Sequence, residues 1–168
     1  MPRSREIALL LASLDQAYDH HAWHGPNLRG SIRGLSAREA SRRPGRGRHN
    51  IWEIVVHAAY WKYIVRRRMS GETRGSFPLE GSNWFPRGDR PNERAWREDI
   101  ALLQRMHREL RTAVARLDPR LLGRSARGSA QTYQYMIAGA AMHDVYHAGQ
   151  IGLLKKLVGR GRPSARAR

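Results

Sequence analysis

With 168 residues and no cysteine, the chain is long enough to bury about two thirds of its unfolded surface as a single domain. The missing thiols exclude disulfides, thiolate zinc sites and a cysteine nucleophile. Lysine and arginine number 31 against 14 acidic residues, a formal charge of +17, which suits polyanions. No zinc-finger spacing, aromatic RNA-binding pattern or helix-turn-helix accompanies that charge, so nucleic acid is expected only as a nonspecific partner. No apolar run approaches the roughly 20 residues of a membrane span. The apolar start is followed by Asp15 and Asp19 rather than by a small-residue cleavage site, so a cytoplasmic protein with no membrane partner is expected.

In chain order, the first helix is predicted from near Ser4 to about Ala22. Ile7, Leu10, Leu11, Leu14 and Tyr18 lie at helical spacing, and Gly25 and Pro26 break the run. Ser36 and Glu39 form a capping-box pattern that opens a short helical turn, closed by Pro44. Asn50 and Glu53 repeat the pattern at the head of a second main helix, whose apolar period continues to Met69 before Gly71 stops it. Residues 72–90 contain glycine, proline and aromatics without a period, a connection longer than a bundle turn needs. A third main helix is predicted from Pro91 through Trp96, Ile100, Leu103, Leu110, Val114 and Leu117. A fourth starts near Ser129 or Thr132 and runs to Val158, with Gly159 just past its end. No strand pattern or repeat interrupts this order, so the expected fold is all-α, a bundle of four main helices. Residues 1–158 are expected as one domain and 159–168 as a basic, disordered tail.

The last helix carries the chemistry. Met136, Ala140, His143, His147, Ile151 and Leu154 follow steps of three or four, which places both histidines on the seam that faces the core. His57 holds the same kind of position on the second main helix, among Ile54, Tyr60, Trp61 and Ile64. Inward imidazoles cost desolvation unless each finds a partner, and neutral imidazole is a common ligand for zinc, nickel and related ions. Histidines at i and i+4 converge on one ion while a facing helix supplies a third, and three protein ligands leave coordination positions open, the catalytic rather than the structural pattern. With eight histidines in the chain, an i, i+4 pair also arises readily by chance. A second such pair, His20 and His24, flanks His21 at the predicted end of the first helix and is expected to face solvent.

The segments “HNIWEIVVHAAYW” and “MHDVYHAGQIGLLKKL” resemble the DinB/YfiT-like family, in which a lone histidine on the second helix and an HxxxH pair near “GQI” on the last helix bind a divalent metal. The resemblance covers most of the chain in helix order and rests on His57, His143, His147, Gly149, Gln150 and Ile151. It implies a bundle running up-down-down-up with residues 72–90 as its crossover, a homodimer, and a small-molecule substrate. The activities it implies are a metal-dependent transferase or isomerase that uses a low-molecular-weight thiol, or a metal-dependent hydrolase. Zinc or nickel leads as the ion, with iron or manganese behind. A polyanion binder and a metal-bound dimeric scaffold without catalysis are the alternatives.

Further candidates flank the histidines. Glu53, one turn before His57, offers a general base, a partner orienting a ring, a fourth ligand, or simply the helix cap. Gln150 either touches a bound ligand or packs between helices. Tyr60 and Trp61 wall a pocket or belong to the core, and Trp84, with Phe85 in an aperiodic stretch, reads as a substrate lid or a dimer contact. Asp144, adjacent to His143, is expected at the surface or a dimer contact, and His49 and His107 as capping or surface residues. Arg66, Arg67 and Arg68 form a helix-terminal cluster, one member of which could hold an anionic substrate.

Overall fold

A computed structural model describes residues 4–126 and 129–159. Among these residues there is no β-strand. The helices are α1 (Arg5–Tyr18), α2 (Leu28–Ser31), α3 (Ala37–Ala40), α4 (Ile51–Ser70), α5 (Glu93–Arg116) and α6 (Tyr133–Gly159), with a 3-10 turn at Pro119–Leu121. None is long and apolar enough to cross a membrane. Residues 160–168 of the expected basic tail lie outside the described residues.

Capping chemistry sets most of the boundaries. Ser4 accepts from the Ile7 amide at 3.3 Å and opens α1. This helix stops at Tyr18, short of Ala22, because Asp19 leaves helical geometry at φ −146°. Asn50 and Glu53 complete a reciprocal capping box at the head of α4, and Gly71 ends that helix in the left-handed region at φ 67°. Asn92 caps α5, so Pro91 sits before the cap rather than in the first turn. Thr132 Oγ1 accepts from the Tyr135 amide at 3.2 Å and opens α6.

The four long helices share their faces pairwise: α4 packs on α5 and α6, and α1 packs on the same two. Trp52 and Trp96 anchor one end of the core, and Leu14, Leu110 and Ile137 the other. Each of these fully buried apolar side chains contributes about 1.5–3 kcal/mol relative to exposure. Trp52 Nε1, in the first turn of α4, donates to Asp99 Oδ2 at 2.7 Å early in α5, and Arg66 Nε lies 3.5 Å from Glu109 Oε2 late in both helices. On the other side, Arg111 of α5 pairs with Asp15 of α1 at 2.7 Å, one turn from the stacked rings of His107 and Tyr18, whose centroids are 3.8 Å apart.

Two expectations are corrected. Asp144 is not a surface residue: it is 1% exposed and pairs with the equally buried Lys62 of α4. His107 is likewise interior, 4% exposed. Burial, reinforced by the charges of Lys62 and Arg111, pushes its pKa down to about 3, so the ring is neutral at pH 7.

The connection after α4 has no helix, yet it is packed. Phe77 and Phe85 are buried against the core. Asn83 is the single non-glycine residue with positive φ, 62°, among the described residues. The strap therefore holds a fixed course over the face of α4 that carries His57.

Candidate metal centre

His57 of α4 and His143 and His147 of α6 converge so that one ring nitrogen from each lies within 4.8 Å of the others. His143 Nε2 is 3.2 Å from His57 Nε2 and 3.0 Å from His147 Nε2. The spacing on α6 is one helical turn, which puts both of its rings on the face turned toward α4. His57 and His147 are 6% and 2% exposed, and His143 is half-buried at the boundary of two clefts.

The far nitrogens fix which atoms are free to bind. His57 Nδ1 lies 2.7 Å from the Asn83 carbonyl oxygen, which only accepts, so that Nδ1 carries the proton and Nε2 is left bare. His147 Nδ1 donates to Gln150 Oε1 at 2.7 Å, and the Gln150 amide nitrogen in turn donates to the Tyr146 hydroxyl at 2.8 Å. Two bare Nε2 atoms therefore point at a third, and His143 has at most one Nε2 proton to share between them. A single cation satisfies all three lone pairs, and hydrogen bonds alone do not. This donor set fits a divalent ion of the zinc or nickel kind.

Electrostatics agree with the geometry. Burial depresses all three imidazoles: His57 falls below its ordinary value, His143 to about 3 with the charges of His147, His57 and Lys62 adding to desolvation, and His147 to about 4. The rings are neutral at pH 7, the state that ligates metals.

Aromatic rings seal one side. Trp84 stacks on His57 at 3.9 Å between centroids and on His49 at 3.6 Å, making a three-ring pile from the surface to the centre. Trp61 Nε1 donates to Asn83 Oδ1 at 3.0 Å, which ties that side chain to the strap. Two clefts meet at His57 and His143. A narrow one includes Trp61, Val65 and Arg68, and a wider one includes Trp84, His147 and Gln150. Tyr60 lines neither of them and packs edge-on against Phe77 of the strap at 5.4 Å.

Glu53 does not reach the imidazole cluster. Its Oε1 accepts from Arg43 and the Arg87 amide, and its Oε2 from Arg43, His49 and the Asn50 amide. Burial alone raises its pKa, but these hydrogen bonds, that of Arg43 first, hold it below the ordinary value. Of its expected roles, the carboxylate fills that of helix cap, and it also clamps the loop before α4. His20, His21 and His24 are exposed and belong to no ligand group among the described residues. Their i, i+4 spacing carries no convergence because α1 ends at Tyr18.

Sequence reading missed Asn83, Arg43 and Lys62. For Lys62 a signal existed, since it is a lone cation amid apolar residues of α4 and so demands an anionic partner. For Asn83 there was none, because its main contribution is a backbone carbonyl.

The DinB superfamily model matches residues 20–151. No curated protein and no solved structure matches the chain.

Proposed function

The chain belongs to the DinB superfamily, and from that premise we propose that it is a metal-dependent enzyme in which His57, His143 and His147 hold one divalent ion. The reaction class is transfer or isomerisation with a low-molecular-weight thiol, or hydrolysis, on a small-molecule substrate. The observation that carries the reading is the pair of anchored tautomers, His57 on the Asn83 carbonyl and His147 on Gln150, which leave bare nitrogens facing one point.

When bound, such an ion polarises a substrate oxygen or sulfur and lowers the pKa of a water or thiol held there. The chain's own groups do the rest. Asn83 and Gln150 hold ring orientation, Trp84 covers the flat face of His57, and Trp61 and the two clefts receive the organic part of the substrate. Glu53 keeps the strap and the α4 terminus in register.

The reading separates an enzyme from a scaffold by ligand access. Cobalt-loaded protein should give a visible spectrum that changes on adding a small thiol or a hydroxamate, and His57→Ala should abolish that change. A cobalt spectrum indifferent to every such ligand would mean a closed, structural site.

Two architectural readings accompany this one. The four long helices run up-down-down-up, supported by the Trp52–Asp99 and Arg66–Glu109 pairs at matching ends of α4 and α5. A homodimer forms through α6, supported by an uncovered apolar stripe at Tyr135, Met142, Tyr146, Leu153 and Leu157, each 51–70% exposed.

A further inference from the structure

The narrow cleft follows the groove between α4 and α6. His57, Trp61, Val65 and Arg68 succeed one another along one wall, and His143, Ala140 and Met136 along the other. Its volume is about 390 Å³, within the range of a small-molecule site. His57 and Arg68 are 11 residues apart, about 16 Å of helix at 1.5 Å per residue. The groove thus has ligating imidazoles at one end, apolar walls along its length and a guanidinium at the other.

The charges in and around it are unequal. No carboxylate lines the cleft. Lys62, which does line it, is already neutralised by Asp144. In the run of three arginines at the end of α4, Arg66 is engaged by Glu72 at 2.5 Å, and Arg67 donates to the carbonyls of Glu72 and Thr73 at 3.1 and 2.9 Å. Arg68, the member that faces the cleft, has no hydrogen-bond or ion-pair partner among the described residues. A guanidinium presents a planar fork that matches a carboxylate in bidentate fashion. Gly139 on the α6 wall leaves open space where a side chain would stand, since a Cβ there meets nothing within 4 Å.

We propose that this groove binds an elongated amphipathic acid, with a metal-binding head at the histidines, an apolar middle beside Trp61, Val65 and Met136, and an anionic terminus at Arg68. The assignment rests on the metal reading above and adds the substrate class. A short anion does not span the groove, and a neutral apolar chain leaves Arg68 without a partner.

The test is calorimetric titration of the zinc-loaded full-length protein with suberic acid monohydroxamate and with its neutral terminal amide, alongside zinc content per chain. The carboxylate form should bind about two- to fivefold more tightly than the amide, as for a guanidinium–carboxylate pair at an exposed arginine. Arg68→Met should bring the ratio to about one with zinc content unchanged. Gly139→Phe, which adds a ring to the α6 wall of the groove, should weaken both ligands. Equal affinities in the unmodified protein, or a preference that survives Arg68→Met, with zinc held and both hydroxamates bound, would overturn the substrate class alone. Failure to hold zinc would overturn the metal reading and this assignment together, and the zinc measurement distinguishes the two outcomes.

Discussion

Asn83 holds a left-handed backbone at φ 62°, a conformation that costs a non-glycine residue on the order of 1 kcal/mol. In return its carbonyl meets His57 Nδ1 and its side chain meets Trp61. Loss of such an outer partner typically lowers metal affinity by about 10- to 100-fold. Asn83→Val, β-branched and ill-suited to positive φ, should therefore weaken zinc affinity by that amount in competition with a chromogenic chelator, whereas Asn83→Gly should lose far less. Equal affinities for the two variants would show that the carbonyl does not set the ligand geometry. At this scale the three histidines were legible because helical spacing decides which side a residue faces, whereas Asn83 acts through its main chain, and any residue type supplies a carbonyl.

Between elements, the link that merits measurement is Lys62 on α4 to Asp144 on α6, both almost fully buried. Desolvation raises the Asp144 pKa to about 6 despite the pull of Lys62, so the carboxylate depends on its partner to stay charged. Lys62→Met alone strands that carboxylate and should cost about 3–5 kcal/mol in denaturant unfolding. Adding Asp144→Leu should recover most of the loss. A double variant no more stable than the single one would contradict the pairing. Asp144 was misread as external for a definable reason. One residue from His143 is a rotation of about 100°, which leaves the core on a helix with a single neighbour. Because α1 and α4 both pack on α6, its buried arc is wide enough to include Asp144. Helix order and three of the four main N-termini were legible through Ser4, Asn50 and Thr132, because caps are local chemistry.

For the whole molecule, α6 shows an apolar arc to the core and a second apolar arc, including Tyr146 and Met142, to the outside. That second arc is what a homodimer would cover. Tyr146→Glu combined with Leu153→Glu should shift sedimentation from dimer to monomer while helical content is retained. An unchanged sedimentation coefficient would place any self-association elsewhere. Metal content per chain of tag-free protein decides whether the three imidazoles hold an ion. About one divalent ion per chain is expected, lost in His57→Ala, His143→Ala and His147→Ala and retained when His20 and His24 are both replaced. Burial lowers the pKa of all three imidazoles from the ordinary value of 6.5, so the rings are neutral and the ion should be bound at pH 7, and it should leave as falling pH lets protons compete for the ring nitrogens. No stoichiometric metal at pH 7, or metal that persists in His57→Ala and vanishes with His20 and His24, would contradict the three-histidine site.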